Sequence, residues 1–133
     1  MNNNCVITHL RHVGFAMPQI EEQRAFYSEE WGLTEVAEQD GVYYFAAAGS
    51  PEPYVIRLRK DDKKRADVIS FGTSTRADVD ELSERLRQDG VEIIHAPREL
   101  TSPGGGYGVR FFDLEGRVIE VSAEVAAREH RQL

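Results

Sequence analysis

The chain has 133 residues, 41% of them hydrophobic and 29% charged, which suits one globular domain with a core of its own. Sixteen basic residues against 23 acidic ones leave a net charge of -7, which argues against a nucleic-acid partner. The single cysteine, Cys5, excludes an intrachain disulfide framework and a cysteine-based zinc site. No apolar run approaches the roughly 18 residues of a membrane span. Met1 to Cys5 also lack a basic start followed by an apolar run. Neither a membrane partner nor a signal peptide is therefore expected, and the cytoplasm is the expected compartment.

A first strand is predicted over His12–Met17. Pro18 opens a helix from about Gln19 to Trp31, striped by Ile20, Tyr27 and Trp31, with Trp31 assigned to the core. Gly32 ends it, and Leu33–Val36 reads as a strand. Asp40-Gly41 is a hairpin turn into a strand whose Tyr43, Tyr44 and Phe45 are assigned to sheet packing. Tyr54–Leu58 is the fourth strand, and Lys60 to Lys64 form a charged joint. The order then repeats. Val68–Gly72 is a strand, and Thr75-x-x-Asp78 is a capping-box-like start to a helix over Arg76–Asp89, striped by Val79, Leu82 and Leu86. Gly90 suits the left-handed position after a helix end, and Val91–Ile94 is a strand. Pro97 to Gly106 is a long loop placed to line or cover a site. Its glycines do not open a helix after a strand, so neither a phosphate loop nor a dinucleotide fingerprint is present. The run from Tyr107 and the strand Arg117–Val121 flank a turn at Asp113–Gly116. The tail over 125–133 reads as a polar helix, with His130 solvated.

Each half is βαβββ. The expected fold class is α+β: two βαβββ modules, about 9–60 and 66–122, within a domain over 1–124. Alternation places Val13, Phe15 and Met17 on one face of the first strand and His12, Gly14 and Ala16 on the other. Ile69 and Phe71 likewise oppose Val68, Ser70 and Gly72. Tyr54, Ile56 and Leu58 oppose Val55, Arg57 and Arg59. Ile119 and Val121 oppose Val118, Glu120 and Ser122. The bulky face belongs under helices. The other face carries small residues and a few charges, so curved mixed sheets would enclose a cavity, the usual shape of a small-molecule site.

The run Leu10–Phe15 through Phe26-Tyr27 to Trp31-Gly32-Leu33, with the closing stretch Tyr107–Asp113 and Gly116–Val121, resembles the vicinal oxygen chelate superfamily. That group holds glyoxalase I, bleomycin-resistance proteins and extradiol ring-cleavage dioxygenases. Phe111-Phe112-Asp113, Glu120-Val121-Ser122 and the tail resemble the first domain of a two-domain extradiol enzyme and its connector. The resemblance implies Fe(II) or Mn(II) held by two histidines and a glutamate, a facial set that leaves positions open for a catecholate and dioxygen. His12 falls on the first ligand position and Glu120 on the last. Val68 stands at the middle position and Arg57 at the first half's counterpart of Glu120, and neither can ligate. Without help from His9, Asp67 or a second chain, no bound cofactor is expected.

An Arg57–Glu120 ion pair or a ligand-anchoring role is the competing expectation, because buried charges need partners. Arg57, Ser70 and Tyr107 are the expected pocket residues, and His95 is expected at the surface. Three functions follow. The first is the non-catalytic module of an extradiol dioxygenase. The second is a single-domain dioxygenase or glyoxalase-type enzyme completed by dimerisation. The third is a metal-free resistance-type protein binding a small aromatic or cationic molecule. A homodimer or a second domain of the same type is the expected partner.

Overall fold

The computed structural model describes residues 6–129; Cys5 and His130 lie outside the described residues. Strand β1 (Ile7–Met17) leads into helix α1 (Ile20–Ala25), which continues as a π-helical turn over Phe26–Glu30. Strands β2 (Thr34–Gln39), β3 (Val42–Ala46) and β4 (Ile56–Lys60) complete the first half. Strand β5 (Arg65–Thr73), helix α2 (Arg76–Gln88) and strands β6 (Ile93–Glu99), β7 (Tyr107–Phe112) and β8 (Val118–Ala123) repeat the order. All eight strands form one mixed sheet in the order β2-β3-β4-β1-β5-β8-β7-β6. Each first strand pairs in parallel with the last strand of its own half, and β1 meets β5 antiparallel at the centre. The architecture is α+β, as the duplicated pattern implies.

The bulky faces pack under the helices in two separate clusters. Met17, Tyr27, Phe45 and Leu58 form one, joined by Phe15, Ile20 and Tyr43. Val79, Val109, Val121 and Ala123 form the other, joined by Phe71, Leu82 and Tyr107. The opposite face stays polar and curls round a hollow, since residues near both ends of the sheet line the same cavity. The Asp40-Gly41 hairpin is realised with φ of 52° and 82°, the left-handed pair that a tight hairpin needs.

Several expectations need correction. Trp31 is 59% exposed rather than core. The π turn before it adds a residue to the helical repeat and rotates Trp31 off the stripe, while Tyr27 stays buried. Strand β6 runs through Pro97, which an edge strand tolerates, so the loop begins only at Leu100. Residues 125–129 are not helical. Their backbone is tied back instead, Ala126 N donating to Gly104 O at 2.9 Å and Arg128 N to Pro51 O at 2.8 Å. Among the described residues no helix is long and apolar enough to cross a membrane.

Helix α2 has a complete capping box: Asp78 N donates to Thr75 Oγ1 at 3.1 Å and Thr75 N to Asp78 Oδ2 at 3.2 Å. Thr75→Ala is expected to lower unfolding stability by about 1 kcal/mol, read as a lower urea midpoint at unchanged slope. An unchanged midpoint would show the cap to be idle.

Candidate functional site

Cross-strand register lays the concave face out in two rows. The first runs Tyr44–Arg57–Gly14–Val68 across β3, β4, β1 and β5. The second runs Arg110–Glu120–Ser70–His12 across β7, β8, β5 and β1, and continues to His95 on β6. The rows are related by the chain's internal duplication. Arg57 matches Glu120, Gly14 matches Ser70, and Val68 matches His12. The four positions singled out in the sequence are therefore brought together at the sheet centre.

Glu120 is 3% exposed and held from two sides. Ser70 Oγ donates to its Oε1 at 2.9 Å, and Arg110 Nε donates to its Oε2 at 2.9 Å. Burial works to raise the Glu120 pKa. The Arg110 charge and the two hydrogen bonds outweigh it, so the carboxylate titrates below its ordinary range. His12 is 5% exposed, and its Nε2 lies 4.0 Å from Glu120 Oε1. Among the described residues that nitrogen has no hydrogen-bond partner. The ring packs against Tyr54 with centroids 4.4 Å apart. Burial pulls the His12 pKa down to about 4 despite the nearby Glu120 charge, so the imidazole is neutral near pH 7.

Arg57 and Glu120 do not pair. Arg57 Nη2 donates to Asp67 Oδ2 at 3.1 Å, while Arg110, directly across from Glu120, takes the partnership that the sequence suggested for Arg57. Tyr107 is not a pocket residue. It shares the Val109 face, and its hydroxyl donates to Asp80 Oδ1 at 2.6 Å on the α2 side. Ser70 lies on the concave face but sits fully buried as the prop of Glu120. His95 is a half-buried β6 residue at the cavity, not a surface group. Tyr54 precedes β4, escapes its alternation and turns to the His12 side against Tyr44. His9 and Asp67 are engaged elsewhere. His9 Nε2 lies 2.9 Å from Glu52 Oε2, and Asp67 is also gripped by Arg59 at 2.7 Å through both oxygens.

The cavity above the rows is about 490 Å³, walled by Tyr44, Arg57, His95, Arg98, Arg110 and the loop from Leu100 to Ser102. Arg110 and Arg98 were missed in the sequence. Arg110 was legible as the one charge in Tyr107–Phe112, on the face opposite Val109. Arg98 carries no signal in the sequence because Pro97 reads as a loop start, whereas β6 runs through it.

Residues 9–121 match the family model of the Glyoxalase/Bleomycin resistance protein/Dioxygenase superfamily. A manganese-dependent 2,3-dihydroxybiphenyl 1,2-dioxygenase from Geobacillus genomosp. 3 is 27% identical over 121 residues, which are 90% of this chain and 38% of that protein. The crystal structure of a Mn(II)-bound glyoxalase from Novosphingobium aromaticivorans has a TM-score of 0.92 at 38% identity, over 96% of this chain and 42% of that one. Homoprotocatechuate 2,3-dioxygenase from Arthrobacter globiformis, at 19% identity, shares the fold with a TM-score of 0.83, over 93% of this chain and 38% of that one. The chain spans about two-fifths of the length of these relatives.

The buried, neutral His12 makes stability depend on pH. Its pKa is 6.5 in the ordinary state and about 4 in the fold, so protons favour the unfolded chain between those values. Stability is full above the upper value and falls as pH drops toward the lower one, by up to about 3 kcal/mol from this group. Denaturant unfolding of wild type and His12→Gln between pH 4.5 and 7 is expected to show a flatter profile in the variant. Parallel profiles would rule out His12 as the source.

Proposed function

The chain belongs to the glyoxalase/bleomycin resistance protein/dioxygenase superfamily, and from that premise we propose that it is a ligand-poor module. It would serve as scaffold and interface in an extradiol- or glyoxalase-type protein whose metal chemistry takes place on another module. The observation that carries the reading is the filling of the first row. A Cβ added to Gly14 would lie 2.8 Å from Val68 Cγ1 and 3.0 Å from Arg57 Cγ. These two side chains close over the strand where a second pair of ligands would stand.

The donor set supports the same reading. Of the four duplicated positions, His12 and Glu120 can ligate, Val68 cannot, and Arg57 brings a positive charge that repels a cation. Glu120 already satisfies both oxygens with Ser70 and Arg110. Among the described residues no three His, Cys, Asp or Glu side chains are grouped to hold a metal ion. On this reading the residues do not fit a resident Fe(II) or Mn(II) ion, although one similar protein is manganese-dependent and the structure of another is Mn(II)-bound. Val68, 1% exposed within its own chain, fills the middle position with a side chain that cannot ligate. What the module offers a partner, a second domain of the same type or another copy, is its two open sheet edges, β2 and β6.

Elemental analysis and Mn(II) titration test the reading. The purified chain is expected to carry far less than one equivalent of Fe or Mn and to show no shift in Tm with Mn(II). The double variant Arg57→Glu, Val68→His is expected to gain such a shift. Near-stoichiometric metal in the wild type, lost in Glu120→Gln, would refute it.

A further inference from the structure

We infer that the concave cavity is a binding site for a small organic carboxylate, held by Arg57 and Arg98 without a metal. The inference rests on the ligand-poor reading above, and it follows from counting which charges at the cavity are already spent. Three guanidiniums line it, Arg57, Arg98 and Arg110, facing the carboxylates Asp40, Glu99 and Glu120. Glu120 is neutralised by Arg110. Glu99 is paired with Arg76, whose Nη2 donates to its Oε1 at 3.0 Å and whose Nε is shared with Glu124 at 2.8 Å. Of the lining carboxylates, Asp40, an exposed hairpin residue, makes no ion pair among the described residues.

Arg57 is itself under-compensated. Its one ion-pair partner among the described residues, Asp67, is shared with Arg59 at 2.7 Å and Arg65 at 3.8 Å, leaving Arg57 the 3.1 Å contact through Nη2 alone. Asp61 adds a second carboxylate to that group, at 2.8 Å from Arg65 and 3.5 Å from Arg59. Two carboxylates thus serve three guanidiniums. The Arg57 side chain is 11% exposed, so water screens its residual charge poorly. Among the described residues its Nε and Nη1 make no hydrogen bond, and the side chain of Arg98 makes none.

A protein of net charge -7 thus turns two guanidiniums with open donors, Arg57 and Arg98, toward one hollow. Such donors suit an anionic ligand rather than a cationic one. A guanidinium presents the fork that a carboxylate fills with two parallel bonds. The Tyr44 ring with Val42 and Leu100 supplies apolar wall, and about 490 Å³ suits a molecule of one ring rather than a peptide.

Thermal shift and calorimetric titration of the full chain test this, with benzoate, the uncharged benzamide and inorganic phosphate as probes, in chelator and then with Mn(II). Benzoate is expected to bind and raise Tm in chelator, to weaken with added salt, and to bind more tightly than benzamide or phosphate. Arg98→Gln, at an exposed position, is expected to weaken benzoate binding about tenfold or more, as loss of a charged hydrogen bond does. Arg57→Lys, which keeps the charge but loses the fork, is expected to weaken it as well. Equal binding of benzamide or phosphate, or benzoate binding indifferent to Arg98→Gln, would overturn the inference. Absence of benzoate binding in a chain that also takes up no Mn(II) would sink the inference and leave the ligand-poor reading standing. Benzoate binding that needs bound Mn(II) would sink both.

Discussion

The antiparallel pairing of β1 with β5 is the constraint from which the concave face follows. It sets His12 opposite Ser70 and Gly14 opposite Val68, one row apart. Each row is then extended by the parallel partner of a first strand, Arg57 on β4 and Glu120 on β8. A slip of one residue in that central register would send His12 to the helix side and Val13 to the cavity. The apolar clusters under the two helices prevent such a slip, because they require Phe15 and Phe71 to stay on the helix side.

Within that frame, buried charge decides the chemistry. An ionised Glu120 removed from water is tolerable only with its oxygens filled, and Ser70 and Arg110 fill them. His12 meets the same burial by giving up its proton, and its Nε2 has no hydrogen-bond partner among the described residues. In the matching row, Arg57 turns to Asp67, and Val68 contributes only volume. Two halves with one backbone plan thus carry unlike rows, one a neutralised acid–imidazole set and the other an apolar residue beside an arginine with charge to spare.

The loop walls the hollow and the tail is tied down, both without regular structure. Leu100 to Ser102 wall the cavity, and the stretch after β8 is hydrogen-bonded to Gly104 and Pro51. These contacts join residues far apart in sequence, so no local periodicity announces them. The same limit explains Tyr107, expected in the pocket: as the first residue of β7 it shares the face of Val109 and turns to α2.

Strand alternation, helix stripes and the repeated βαβββ order were enough to establish the α+β plan, to put His12, Arg57, Val68 and Glu120 on one face, and to show that two of those four cannot ligate. These properties are local: side-chain direction follows from backbone period, and ligand capacity from the residue itself. Which charge pairs with which was decided only by the tertiary structure. Arg110 rather than Arg57 took Glu120, and Asp67 was divided among three arginines. Such partnerships depend on which strands become neighbours and on the register between them, because a guanidinium's reach is a few ångströms in space and has no counterpart in distance along the chain.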